Sequence, residues 1–345
     1  MTSEHLRYFL VFLATFGTAA ALAPVAIWLS HRWGVVAVPG GRRKHGTIMP
    51  ILGGIPIFFA FGIGALLSLW LFPPNGEDAK LLTGVMVGLV VVFIGGLLDD
   101  FFDLSWWAQY AVQAIATLIA VRYEVIFEAF TNPISNSLIN LDEILPLFIV
   151  PLVTLIWISG MMNTVNWLDG LDGLAAGVGT IAALLFAWHS FNLAQFSVAA
   201  FPLALAGALL GFLLFNFSPA KIFLGSAGAY LIGFSLATLA LITPAKIATA
   251  LLVMAIPILD VAWQIFDRIR RGQSPFRGDR GHLHFRLSDG GLPTRMIVLG
   301  YYAASAVFGI VAIFAPGLWK LILLLGLSVI VLGTLRMLSL TNDKP

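Results

Sequence analysis

The chain has 345 residues, 59% of them hydrophobic and 10% charged, with 19 Lys and Arg against 17 Asp and Glu and a mean hydropathy of +0.96. So few polar residues cannot cover one or two water-soluble domains, which leaves a polytopic membrane protein, and no nucleic-acid partner is expected. Cysteine is absent, which excludes disulfides and thiol catalysis.

A bilayer core takes roughly 20 predominantly apolar residues per helical span. Runs of that kind recur at residues 8–29, 51–72, 81–98, 105–122, 144–162, 170–190, 198–216, 222–242, 247–265, 296–314 and 318–336. The expected fold class is therefore all-α and integral to the membrane: a helical bundle of about eleven transmembrane helices forming a single transmembrane domain over 1–345. The first run has charges before it, and Trp33 and a basic loop after it. It lacks a small-residue cleavage signal and reads as a retained helix. With the N-terminus outside and the C-terminus cytoplasmic, 14 Lys and Arg fall in inner connections and 5 in outer ones, as the positive-inside rule favours. No repeat of the kind that builds inverted-repeat transporters is visible.

In this topology the connections with unusual polar chemistry (30–50, 97–105, 163–173, 216–228 and 266–295) share the cytoplasmic side and are expected to build one site. Asp99 and Asp100 end the third run, with Asp103 a turn later, while Asp169 and Asp172 are spaced as neighbours on one helical face. A lone Asp at a span end is commonly an interfacial marker, but two clusters on one side repel each other unless a cation lies between them. Oxygen donors without Cys favour Mg²⁺, or Mn²⁺, over zinc. Asn163 and Asn166 offer uncharged hydrogen bonds to a sugar, base or phosphate, and Gly170, Gly173 and Gly177 leave backbone open to a ligand or to a packed helix.

The stretch RIRRGQSPFRGDRGHLHFRL, 268–287, carries six arginines and two histidines. It suits phosphates, though basic juxtamembrane loops also serve as orientation signals or anionic-lipid contacts. Asp260 lies inside the ninth run, three residues after Pro257; the pair marks either a kink at the site or an early cytoplasmic end of the run.

In chain order the motifs are RRKHGTIMPILGG (42–54), LLDD (97–100), NTVNWLDGLDGLAAG (163–177), NFSPAKIFLGSAG (216–228) and PILDVAWQIFDRIRRGQSPFRGDRGHLHFRL (257–287). They resemble the ordered motifs of the polyprenyl-phosphate N-acetylhexosamine-1-phosphate transferases. The HLHFRL ending is similar to that of the bacterial undecaprenyl-phosphate GlcNAc-1-phosphate transferases of O-antigen and teichoic acid synthesis.

The resemblance implies Mg²⁺-dependent transfer of GlcNAc 1-phosphate, or of a related 2-acetamido sugar 1-phosphate, from a UDP-N-acetylhexosamine to undecaprenyl phosphate. UMP would leave at the cytoplasmic face of the bacterial plasma (inner) membrane. It implies catalytic roles for Asp99 and Asp100, and substrate contacts from Asn163, Asn166, Asp169, Asp172, His282, His284, Arg286, Arg42 and His45. Metal contacts would come from Asp100, Asp169, Asp172 and the position of Ser226. A homodimer is compatible with such a protein, though no residue indicates one.

The chain also departs from the family's pattern. Ser226 stands where the family carries a metal-ligand Asp, Ala229 where it carries Ser, Gln109 where a Lys is common, Phe285 in place of a His, and Ala37 in place of an Asp. The alternatives are a family member without transfer activity that binds lipid phosphate or nucleotide sugar, and a membrane transporter. The latter would keep its ionisable groups at mid-membrane on broken helices, whereas here nearly all lie at span ends.

Overall fold

A computed structural model of the chain describes residues 3–38, 48–135, 137–146, 148–242, 245–274 and 280–342. The uncharged apolar stretches form helices, as they must where no water is present to satisfy an open backbone. The first half contains α1 (Ser3–Trp33), α2 (Gly54–Leu71), α3 (Gly76–Phe102), α4 (Trp106–Arg122), the short α5 (Leu141–Ile144) and α6 (Ile149–Leu168). The second half contains α7 (Leu174–Asn192), α8 (Phe196–Asn216), α9 (Gly225–Leu241), α10 (Ala245–Val253), α11 (Ala255–Arg270), α12 (Leu283–Asp289), α13 (Thr294–Phe314) and α14 (Gly317–Asn342).

Among the described residues, eight helices are long and apolar enough to cross a membrane, and α10 with α11 makes a ninth if the bent pair counts as one span. Each of the eleven apolar runs falls on helix, but α4 and α9 are only 17 residues long. The chain is an all-α polytopic membrane protein. Its outward faces carry large apolar side chains such as Trp70, 76% exposed, and Val329, 74% exposed. Such a belt is stable only against hydrocarbon.

At the centre stands α9, buried along its whole length from Ala227 to Leu241. It has no charged residue, and its neighbours come close because they are small where they meet it. A Cβ on Gly54 of α2 or on Gly96 of α3 would collide with Ala227, so glycine at both positions lets the two helices reach the start of α9.

Three local expectations change. The ninth run is not one straight span: α10 and α11 meet at Met254 at an angle of 74°. Pro257 supplies the cause, since it has no N–H for the carbonyl of Val253 one turn earlier. The hydroxyl of Ser305 on α13 donates to that carbonyl instead, at 2.9 Å. The run placed at 144–162 begins later, at Ile149, and continues to Leu168, so Asn163 and Asn166 lie on helix rather than in a loop. Between α4 and α6 an antiparallel ribbon, β3 (Ala129–Thr131) with β4 (Leu138–Asn140), pairs Phe130 with Ile139. A second ribbon, β1 (Val36–Ala37) with β2 (Met49–Pro50), brackets the basic segment that contains Arg42 and His45, and those two residues lie outside the described ones.

Ser305→Ala should leave the Val253 carbonyl buried without a donor and cost about 1–3 kcal/mol. A lower thermal midpoint in detergent, restored by Ser305→Thr, is the expected reading, and an unchanged midpoint would contradict this account of the bend.

Candidate active site at the polar end of the bundle

The last turn of α3 delivers two adjacent carboxylates to different partners. Asp100 accepts the backbone N–H of Ser226 at 2.7 Å and that of Ala227 at 3.1 Å, so it sits on the open N-terminus of α9. Those amides have no partner inside the helix, and the helix end carries partial positive charge. Gly225, with φ +73, makes the turn; a Cβ there would strike the Asp100 carboxylate and the Ile51 carbonyl. Asp99 has partners of its own. Its Oδ1 accepts from Leu104 N at 3.0 Å and from Gln109 Nε2 at 2.9 Å. Tyr230 of α9 donates to Gln109 Oε1 at 3.0 Å, which orients the amide so that its N–H₂ faces Asp99. Gln109 thus gives Asp99 a neutral donor where a cation was expected from the family pattern.

The segment 163–173 divides into two environments. Asn163 is buried on α6 and exchanges amide hydrogen bonds with Gln113 of α4, Asn163 Nδ2 donating at 2.9 Å and Gln113 Nε2 at 3.3 Å. A second bond from Asn163 Nδ2 to Ser159 O, at 2.8 Å, completes its donor capacity. Asn166 lies half-buried one turn on. Asp169 ends α6, and Asp172 lies in the turn before α7, so the two do not share a helical face as their spacing suggested. Gly173, with φ +81, ends this turn, and its carbonyl receives the hydroxyl of Tyr302. Asp172 Oδ2 accepts Ala220 N at 2.9 Å, which ties this turn to the segment ahead of α9.

The basic segment folds inward. His282 precedes α12, and its Nδ1 meets Asp260 Oδ2 at 2.9 Å, both side chains being buried. The other oxygen of Asp260 accepts Leu283 N at 3.0 Å, so one carboxylate caps α12 and orients the imidazole. His284 is fully buried beside Phe285, its ring against Gly170, where a Cβ would collide with it. Arg286 donates to Gly281 O at 2.6 Å and to Leu335 O of α14 at 3.5 Å, and so braces this segment. Arg280 lies over the Phe285 ring, 4.5 Å from its centre, and pairs with Asp289 at 2.8 Å.

These contacts bring together the described parts of all five polar segments. Phe223 N donates to Pro50 O at 2.8 Å and Gly53 N to Phe223 O at 3.1 Å, which joins the first segment to the fourth. Between them lies a cavity of about 330 Å³ lined by Asp169, Asp172, Asn216, Phe223, Arg280 and Phe285, with Met49, Ser288 and Thr294 among its other walls. Asp169 and Asp172 were named from the sequence as site residues and reach it. Asp99, Asp100, Asn163, Asn166, Ser226, His282, His284 and Arg286 are not among its lining residues. Arg280, Phe223 and Asn216 belong to the same motifs, but nothing in the spacing says which arginine or aromatic faces inward. Asp260, an ionisable group inside an apolar run, has its partner 22 residues away.

Among the described residues no three His, Asp or Glu side chains converge to hold a metal unaided. What the site offers is a pair of hard oxygen donors, Asp99 and Asp100, with Asp169 within electrostatic reach of Asp100. Such a set fits Mg²⁺, which commonly takes one or two carboxylates and completes its shell with water and substrate phosphates.

The sequence profile of glycosyl transferase family 4 matches residues 82–244, the stretch that carries Asp99, Asp100, Asp169, Asp172 and the start of α9. A decaprenyl-phosphate N-acetylglucosaminephosphotransferase of Mycobacterium tuberculosis (strain CDC 1551 / Oshkosh) is 34% identical, over 84% of this chain and 80% of its own. The chain belongs to glycosyl transferase family 4. A probable undecaprenyl-phosphate N-acetylglucosaminyl 1-phosphate transferase of Bacillus subtilis (strain 168) is 28% identical to this family 4 chain, over 100% of it and 96% of the relative. An undecaprenyl-phosphate alpha-N-acetylglucosaminyl 1-phosphate transferase of Escherichia coli (strain K12) is likewise 28% identical, over 83% of the chain and 78% of its own.

In the family 4 chain, Asp260→Asn should weaken both bonds made by that carboxylate and destabilise the α12 segment by about 1.5–3 kcal/mol, the range for a hydrogen bond to a charged group. Amide hydrogen exchange should quicken across 281–289 while α9 stays protected; equal protection in both proteins would refute the capping role.

Proposed function

We propose that this chain transfers N-acetylglucosamine 1-phosphate from UDP-N-acetylglucosamine to undecaprenyl phosphate, releasing UMP, as an early membrane step in building a cell-envelope polysaccharide. The observation that carries the proposal is the cavity at which the polar segments meet, with Asp169 and Asp172 on one wall and Arg280 on another. The named activities of the relatives support the same reaction.

In this reading a phosphate oxygen of the lipid attacks the sugar-bearing phosphorus of the UDP-sugar. The bond from that phosphorus to the oxygen of the UMP phosphate breaks, and UMP leaves with the electron pair. The lipid phosphate has a second pKa of about 6 by analogy with phosphorylated side chains, so it is mostly a dianion at neutral pH and requires no general base. The protein's task is to align two anions that repel each other. Phe223 and Phe285 offer aromatic faces for the uracil, and Arg280 offers charge-assisted bonds to the diphosphate. Asp99 and Asp100 would hold Mg²⁺, with Mn²⁺ as substitute, and Asp169 would lie beside it. When bound, the ion supplies neutralisation of phosphate charge. Asp172 fixes the 170–173 turn through Ala220 N.

Ser226 contributes its backbone N–H to Asp100, a role that any residue but proline fills. A serine there therefore leaves the Asp99–Asp100 pair in place, which favours an active enzyme over a silent binder. We further propose eleven spans with an outer N-terminus, an inner C-terminus and a cytoplasmic site, on the strength of the 14 to 5 distribution of Lys and Arg.

The purified protein should release UMP from UDP-N-acetylglucosamine only when undecaprenyl phosphate and Mg²⁺ are both present. Chelation should abolish release, and Asp100→Ala should lower it by about 10²–10³-fold, the scale for losing one preorganised electrostatic group. A wild type that stays silent while Ser226→Asp turns over would overturn the proposal in favour of a family member that binds without transferring.

A further inference from the structure

A second cavity, also of about 330 Å³, opens between α10, the first turns of α14 and the β3–β4 ribbon. It is remote from the carboxylates. Lys320 in its wall and Leu335, whose carbonyl meets Arg286 near the first site, are about four turns apart on α14, or about 22 Å at the helical rise per residue. Ile247, Leu251, Leu252, Leu321 and Leu324 make most of the wall, Thr131 supplies a hydroxyl, and Lys320 is its one charged residue.

Lys320 is half-buried, and among the described residues its ammonium has neither an ion pair nor a hydrogen bond. An ammonium removed from water without a counter-charge costs several kcal/mol, so a cavity of this make-up is complementary to an amphiphile that brings one negative charge and an apolar tail. The start of α14 adds to the match. Gly317, its first residue, lines the same cavity, and a helix N-terminus attracts anions.

We propose that this cavity binds an anionic phospholipid. Its phosphate pairs with Lys320 beside Thr131 and the first turn of α14, and an acyl chain lies along Leu251, Leu252, Leu321 and Leu324. A free phosphate would satisfy the lysine but leave the leucine wall uncovered, and a neutral lipid would do the reverse. The lipid substrate of the proposed transfer is a poor occupant, because its phosphate must reach the far end of the bundle.

The test uses the full-length protein in detergent, melted with dioleoylphosphatidylglycerol, with dioleoylphosphatidylcholine and with inorganic phosphate. Ligand that binds the folded state raises the midpoint. Phosphatidylglycerol should raise it more than either other addition, Lys320→Met should erase that difference, and Lys320→Arg should keep it. Leu321→Trp, which narrows the cavity without altering its charge, should reduce the number of phosphatidylglycerol molecules retained in native mass spectrometry. Equal stabilisation by the two lipids, or by phosphate alone, would overturn the proposal. So would a phosphatidylglycerol increment, or undiminished retention, that survives both Lys320→Met and Leu321→Trp.

Discussion

The Asp100 carboxylate, seated on the N-terminus of α9, is the interaction on which the rest of the polar end depends. It joins the end of one membrane helix to the start of the most buried one, and it does so through amides that need an acceptor in any case. Because Asp100 and Asp99 are adjacent on α3, fixing the first leaves the second to be fixed separately, and Gln109 under the hydroxyl of Tyr230 does that. The helix bundle and the charged site are thus one construction. The glycines at 54, 96 and 225, which let backbone and carboxylate close around Ala227, serve packing and chemistry together.

A second constraint acts through the bend between α10 and α11. Pro257 breaks the helix, Ser305 accommodates the freed carbonyl, and the redirected α11 carries Asp260 to the start of α12. The basic segment is thereby held by a buried carboxylate as well as by its own Arg286. Its histidines lie inward, stacked with each other, His282 also beside Trp167, and among the described residues Arg280 is the arginine of the segment that reaches the cavity. Among its described residues a motif rich in cations therefore divides its labour: some build the wall and one presents charge.

The bundle was legible in the sequence because apolar runs of membrane length have few other uses, and each of them falls on helix. The convergence of the polar segments was legible because they share one side in any topology that alternates. What was not legible depends on partners distant in the chain. Asn163 reads as a ligand contact until Gln113 is placed opposite it. Asp169 and Asp172 read as one helical face until the turn between α6 and α7 separates them. The β3–β4 ribbon, three residues a side, is too short to leave an alternation that can be told from loop. Asp260 looked anomalous for a sound reason, since a buried carboxylate requires a partner, but periodicity could not name His282.

Family membership and site geometry converge on phosphoryl chemistry, in which little is asked of the protein beyond placing two phosphates and tempering their charge. The central claim concerns which bond is broken. The most direct measurement follows the sugar-bearing phosphorus, labelled in UDP-N-acetylglucosamine, through a single turnover with undecaprenyl phosphate and Mg²⁺. The account predicts that the label moves with the sugar into the lipid fraction while unlabelled UMP appears in the aqueous one. Label recovered in UDP, with sugar alone on the lipid, would contradict it.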